Sequence, residues 1–187
     1  MDKVAAAGTT LTIRPARAGE IAALEALIAR SARGLSRGFY DDAQTEAAIA
    51  HVFGVDTDLV ADGSYLVVED ASGAVIGCGG WSRRRTLFGG DNFAGRTPGF
   101  LDPAVDAARI RAFFVAPEAA RRGVGAHLLD ACEQAARVAG FTRAALMATL
   151  PGVPFYARHG YVGGDPVRLD LGGVETMFVP MEKTIVA

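Results

Sequence analysis

The stretch IRAFFVAPEAARRGVGAHLL, residues 110–129, passes from apolar β-formers through a proline and two arginines to a glycine pair and an apolar pattern. ARIRAFFV (108–115) predicts a strand, which Pro117 ends. Past the glycines, Val124, Leu128, Ala131, Cys132, Ala135 and Val138 keep helical spacing up to Gly140. A helix N-terminus exposes unpaired N–H groups and a partial positive charge, so a glycine turn leading into one can hold an anion. Gly123 and Gly125 bring no Cβ, and Arg121 and Arg122 add charge. Taken alone the pattern also fits a plain turn. Two nucleotide motifs fail on spacing: a P-loop needs a lysine that is missing here, and the dinucleotide fingerprint needs a third glycine where Leu128 stands.

Upstream, TLTIRPA predicts a first strand stopped by Pro15, and Ile21, Leu24 and Ile28 place a helix over about 19–33, with Gly34 as its stop. Asp41 with Gln44 reads as a capping box for a second helix with the stripe Ala43, Ala47, Ala50 and Phe53. SYLVVEDASGAVIGCGGWSRR reads as a hairpin about DASG; the glycines of its second strand call for close approach by another backbone or a ligand. Residues 84–107, rich in glycine and proline, predict a long irregular loop, either a lid or disordered. Downstream, TRAALMATL predicts a strand, PGVPFYARHG a short helix ended at Gly160, and GGVETMFVPMEKTI a closing strand.

The chain has 187 residues with a net charge of −2. That length suits one domain with its own core, and the charge offers no footprint for nucleic acid or an anionic membrane. Cys78 and Cys132 sit inside apolar patterns and read as reduced, buried thiols. His51, His127 and His159 are scattered, so no metal site is expected. MDKVAAAGTT lacks the apolar core of a signal peptide and no stretch is long enough for a membrane span, so a soluble, cytoplasmic protein is expected.

The quoted stretch resembles the cofactor motif of the GNAT superfamily of acetyl-CoA-dependent N-acetyltransferases, [Q/R]xxGx[G/A] after a strand. PFYARHGYV (154–162) resembles that family's FYxxxGF segment, and the element order agrees across nearly the whole chain. The resemblance implies an α/β fold, a GNAT-type single domain over 1–187. It would have a mixed central sheet of about six or seven strands, flanking helices and a splay between the two central strands. One departure is Ala120, where the family has Gln or Arg. A second is Pro151 and Gly152 in the region where many members carry an asparagine.

The resemblance further implies acetyl-CoA as acyl donor, transferred to a primary amine of a small molecule or peptide by direct attack. The amides of Arg121, Arg122, Gly123, Val124, Gly125 and Ala126 would hold the pyrophosphate, and the edge of the strand at Phe114 and Val115 would pair with the pantetheine arm. The strand ending near Met147 would splay from that edge, and the Val115 N–H would stabilise the oxyanion. Tyr156 would protonate the departing thiolate, although Tyr156 and Phe155 also fit as core aromatics. No nucleophilic triad is recognisable, and Cys132 lies on a buried stripe. No general base is identifiable: Glu69, His159 and Asp165 are candidates by position, each better suited to a structural or solvated role. Phe39 and Tyr40 are candidate acceptor residues, and Asp91, Asp102 and Asp106 on the long loop are candidates for attracting a cationic amine. Transfer of a longer acyl group, an acyl-CoA-binding regulatory module without turnover, and a homodimer all stay open at this level.

Overall fold

The strand predicted at 108–115 is the axis of the molecule. The computed structural model describes residues 2–6 and 9–186. In chain order, β1 (Asp2–Ala6) and β2 (Thr9–Pro15) are followed by α1 (Ile21–Leu35), α2 (Asp42–His51) and α3 (Thr57–Ala61). The hairpin β3 (Tyr65–Glu69) and β4 (Val75–Ser82) leads through the long loop to β5 (Ala108–Val115), α4 (Val124–Val138) and β6 (Arg143–Thr149). α5 (Val153–Arg158), β7 (Val162–Gly163), β8 (Val167–Asp170) and β9 (Glu175–Thr184) complete the chain. The described residues thus form nine strands in one mixed sheet, more than the six or seven expected. Its order is β1-β2-β3-β4-β5-β6-β9-β7, with β8 also on β9. The extra strands are β1 at one edge and the short β7 and β8 at the other.

Two apolar layers cover the sheet. α4 packs on one face with Leu128, Leu129 and Cys132 fully buried, each leucine contributing about 1.5–3 kcal/mol. Val138, expected on that stripe, is 79% exposed. The buried face instead runs through Val124, Leu128, Cys132 and Ala136, with Glu133 beside it and 2.7 Å from Lys183. On the opposite face α1 buries Leu24, Leu27, Ile28, Ser31 and Ala32, a regular i, i+3, i+4, i+7, i+8 stripe. α2 begins as expected, with the reciprocal Asp41–Gln44 capping box formed. Its inward face is Thr45, Ala47 and Ala48, however, and Ala43 and Ala50 are exposed.

The glycines of β4 are explained by protein packing. A Cβ on Gly77 would lie 2.9 Å from Val124 of α4, and one on Gly79 would overlap the Phe113 ring. The sheet is therefore tight where β4, β5 and α4 meet.

Candidate functional site

β5 and β6 pair in parallel only at Ala108↔Ala144 and Arg109↔Ala145. Beyond those two positions they part: β6 follows β9 as far as Thr149↔Phe178, and β5 follows β4 as far as Val115↔Gly77. The outer half of β5 thus has one edge without a partner strand. The Ala116 N–H donates to Ile76 O on the β4 side at 2.9 Å. Because backbone groups alternate along a strand, the Val115 N–H points to the opposite, open edge.

A bulge sets which side chains face which way. Ala112 adopts the left-handed conformation at φ 52°, and the register against β4 slips between Cys78 and Gly80. A one-residue insertion reverses the phase of everything after it. Ala108 and Ile110 face α4; Ala112 and Phe114 belong to the α1–α2 layer; Phe113 and Val115 return to the α4 side. That return brings the Phe113 ring to 6.3 Å from the Tyr156 ring.

The start of α4 is held open by backbone geometry. Gly123 lies at φ 84°, and Arg121, a residue with a Cβ, lies at φ 60°, a conformation that costs about 1–2 kcal/mol. The His127 N–H closes the first helical bond onto Gly123 O at 3.1 Å, leaving the Val124, Gly125 and Ala126 amides without acceptors among the described residues. Phe155 of α5 packs so closely that a Cβ on Gly125 would lie 3.2 Å from its Cζ.

The open edge and the open helix end share one cavity of about 670 Å³. Ala120, Arg121, Gly123, Gly125 and Ala126 line one end with Phe155, Arg158 and His159. Phe113, Phe114, Val115, Met147, Thr149 and Tyr156 line the middle. Phe39, Phe53, Phe88, Gly89, Arg111 and Phe178 line the far end. No carboxylate side chain stands among the lining residues. The Tyr156 hydroxyl has no hydrogen-bond partner among the described residues, and burial, with a contribution from Cys132, pushes the phenol well above its ordinary range. Protonated at neutral pH like any phenol, it stays a donor well into the alkaline range.

Of the expected cofactor residues, Phe114, Val115, Arg121, Gly123, Gly125 and Ala126 reach the wall. Val124 turns into the core, with 2% exposure, and is off the wall. Arg122 is exposed and off the wall, its charge helping to lower Asp70 behind that residue's hydrogen bonds with Ser72 and Ala74. Phe39 lines the cavity, whereas Tyr40 does not. Tyr40 is a buried strut: its hydroxyl donates to Met177 O at 2.5 Å and accepts from the Leu150 N–H at 3.0 Å.

The candidate bases also separate. Glu69 is held 2.5 Å from Arg14 and Asp165 is exposed, both away from the wall. His159 lies on the wall at the α4 end, its ring 4.7 Å from that of Phe155. Cys132 is buried, and burial pushes its thiol well up, away from any nucleophilic role. Asp91 is occupied by the Thr57 N–H and Arg96, and Asp102 and Asp106 fold into a local turn, so none of the three faces the cavity. The loop 84–107 is ordered against the body. Gly90 N–H donates to Val52 O at 2.8 Å, Asp91 N–H to Val55 O at 3.0 Å, and Phe88 and Gly89 close the far end of the cavity.

Two cationic wall residues escaped the sequence reading, Arg158 and Arg111, as did the aromatic residues Phe53, Phe88, Phe113 and Phe178. Arg158 follows Tyr156 by two residues and points to the same cavity, a position the aromatic motif could have flagged. Arg111 is one of two arginines in the apolar strand ARIRAFFV, and the sequence does not distinguish it from Arg109.

Among the described residues no cluster of His, Cys, Asp or Glu could hold a metal ion, and no helix is long and apolar enough to cross a membrane. The family model described as "Acetyltransferase (GNAT) family" matches residues 21–161. No curated protein matches the chain in sequence. Among solved structures, a GCN5-related N-acetyltransferase from Rhodopseudomonas palustris is similar at a TM-score of 0.69 and 22% identity, covering 92% of this chain and 94% of its own. PaiA N-acetyltransferase from Thermoplasma acidophilum, in complex with coenzyme A, gives 0.61 and 16% over 93% and 98%. The acetyltransferase yncA from Salmonella typhimurium, with its cofactor acetyl-CoA, gives 0.62 and 16% over 95% of both chains.

Proposed function

The chain belongs to the Acetyltransferase (GNAT) family, as the match over residues 21–161 shows, and from that premise we propose that it transfers an acetyl group from acetyl-CoA to a primary amine. The observation that carries the reading is the unpaired edge of β5, which lies between the open start of α4 and the free Tyr156 hydroxyl in one cavity. The residues fit the donor. Unpaired amides and the cations Arg121 and Arg158 suit a pyrophosphate, the open strand edge suits the amide-bearing arm, and no carboxylate on the wall opposes either.

Bound acetyl-CoA would supply an activated thioester carbonyl and a thiolate leaving group. The Val115 N–H, aimed at the open edge, is placed to donate to an oxyanion there; such a donor is worth about 3 kcal/mol in other acyl-transfer enzymes. Tyr156, a protonated phenol on the cavity wall, is the donor to a departing sulfur. The acceptor's own proton leaves through water, since no carboxylate lines the cavity and His159 sits at the cofactor end. Direct attack is favoured because both thiols are buried.

A panel of primary amines incubated with acetyl-CoA, read by released thiol, tests the assignment. Amine-dependent release that falls about 100-fold in Tyr156→Phe supports it. Coenzyme A binding with no release across the panel would favour a module that binds without turnover.

A further inference from the structure

The far end of the cavity contains a cation whose bonding is incomplete. Arg111 is 2% exposed and its side chain is fully buried. Its Nη2 donates to Gly89 O at 2.5 Å and lies 2.6 Å from Asp56 Oδ2. Nε and Nη1 have no hydrogen-bond partner among the described residues, although buried donors in proteins are nearly always paired. Asp56 cannot serve them, because it also accepts from Arg96 at 3.3 Å through each oxygen. Four aromatic rings, Phe39, Phe53, Phe88 and Phe178, line the cavity with it, and Ser31 and Ser36 add two neutral hydroxyls. A basic acceptor with a second amine would meet no counter-charge there, since the wall has no carboxylate.

We propose that Arg111 anchors the carboxylate of the acceptor, so that the preferred substrate is a free amino acid with an apolar or aromatic side chain. The proposal rests on the acetyltransferase reading above and names the substrate class of the same site. An ionised carboxylate is the partner that best completes a buried guanidinium, being acceptor-only and of opposite charge. Arg111 and Val115 both line the cavity from β5, on either side of the Ala112 bulge. The aromatic residues then receive the amino acid's side chain.

The test compares matched acceptors on the wild-type protein with saturating acetyl-CoA. Leucine and phenylalanine are set against isoamylamine and phenethylamine, which lack only the carboxylate, and against leucinamide, which keeps a carbonyl without the charge. At least a 100-fold higher kcat/KM for the amino acids is expected. Calorimetry of leucine and isoamylamine with the coenzyme A-loaded protein gives a readout independent of turnover, and only leucine should bind measurably. Arg111→Lys and Arg111→Met should erase the preference, and the wild-type comparisons stand even if those variants fail to fold. Equal or better use of the decarboxylated amines or of leucinamide overturns the anchor while leaving acetyl transfer intact. If no amine is acetylated, the functional reading fails, and the calorimetric comparison alone decides whether Arg111 binds a carboxylate.

Discussion

The Tyr65 hydroxyl on β3 donates a hydrogen bond to the Ala112 carbonyl on β5 at 3.1 Å, reaching past β4, where its register partner is Gly80. A residue three positions before Val115 is thereby fixed in its left-handed conformation by a strand that never touches the cavity. Tyr65→Phe removes that bond and should cost about 1 kcal/mol, lowering Tm by about 2–4 °C for a chain of this size. Acetyl transfer should fall by about tenfold while coenzyme A binding holds, because the bulge orients the Val115 N–H and the start of α4 is untouched. Melting curves with kinetics and a coenzyme A titration check both parts.

Gly34 is an exposed helical glycine, a position where alanine ordinarily stabilises by about 1 kcal/mol. Here a Cβ would lie 2.5 Å from Cγ of Pro117, at the exit of β5 toward the α4 turn. A proline ring has little freedom to give way. Gly34→Ala should therefore destabilise by about 1–3 kcal/mol and weaken coenzyme A binding as well, as a melt and a titration of the folded variant will show. A rise in Tm would mean that the contact is soft.

That contact also marks the limit of what the sequence alone conveys. Gly34 read as a helix stop, yet α1 runs on to Leu35 and the glycine is required by a neighbour distant in sequence. β5 and α4 were legible to the residue because proline and glycine bracket long periodic runs. α3, with five residues, and β7, with two, are too short to show any period. In α2 the capping box fixed the start, but alanines of equal size on several faces did not reveal which one is buried. At the site, the amide turn and Tyr156 stood out by motif. The Ala112 bulge did not, since no glycine marks it, and Arg111 acquires its meaning only when folding brings Asp56 and Gly89 against it.

Arg121 and Gly125 should respond in opposite ways. Arg121 pays for a left-handed backbone at φ 60°, so Arg121→Gly should raise the stability of the unliganded protein by about 0.5–1 kcal/mol. Losing its charge should weaken coenzyme A binding by a salt-sensitive 1–2 kcal/mol, about 5- to 30-fold. Gly125→Val places a branched side chain at the open amides and against Phe155 and should reduce binding by far more than 100-fold. Calorimetric titration of both variants at two salt concentrations separates amides from charge; unchanged affinity in Gly125→Val would remove the turn from the cofactor site.

Alkaline pH should destabilise the fold through its buried phenols and thiols. All four tyrosines and both cysteines are raised by burial: Tyr40 and Cys78 up to about 12, and Tyr65, Tyr156, Tyr161 and Cys132 well above their ordinary values of 10 and 9. Each group is neutral when protonated, so the folded state keeps its protons at a pH where the unfolded chain has released them. Stability then falls as pH rises wherever the unfolded state binds fewer protons. The contribution is fully present below about pH 8 and is lost from about pH 9 upward, first through the thiols and then through the phenols. Tyrosinate absorbance followed from pH 8 to 12 should stay low until a cooperative rise that coincides with loss of helical circular dichroism. A smooth titration of one or more tyrosines near pH 10, with the fold intact, would show that those rings are solvated and that their burial does not couple stability to pH.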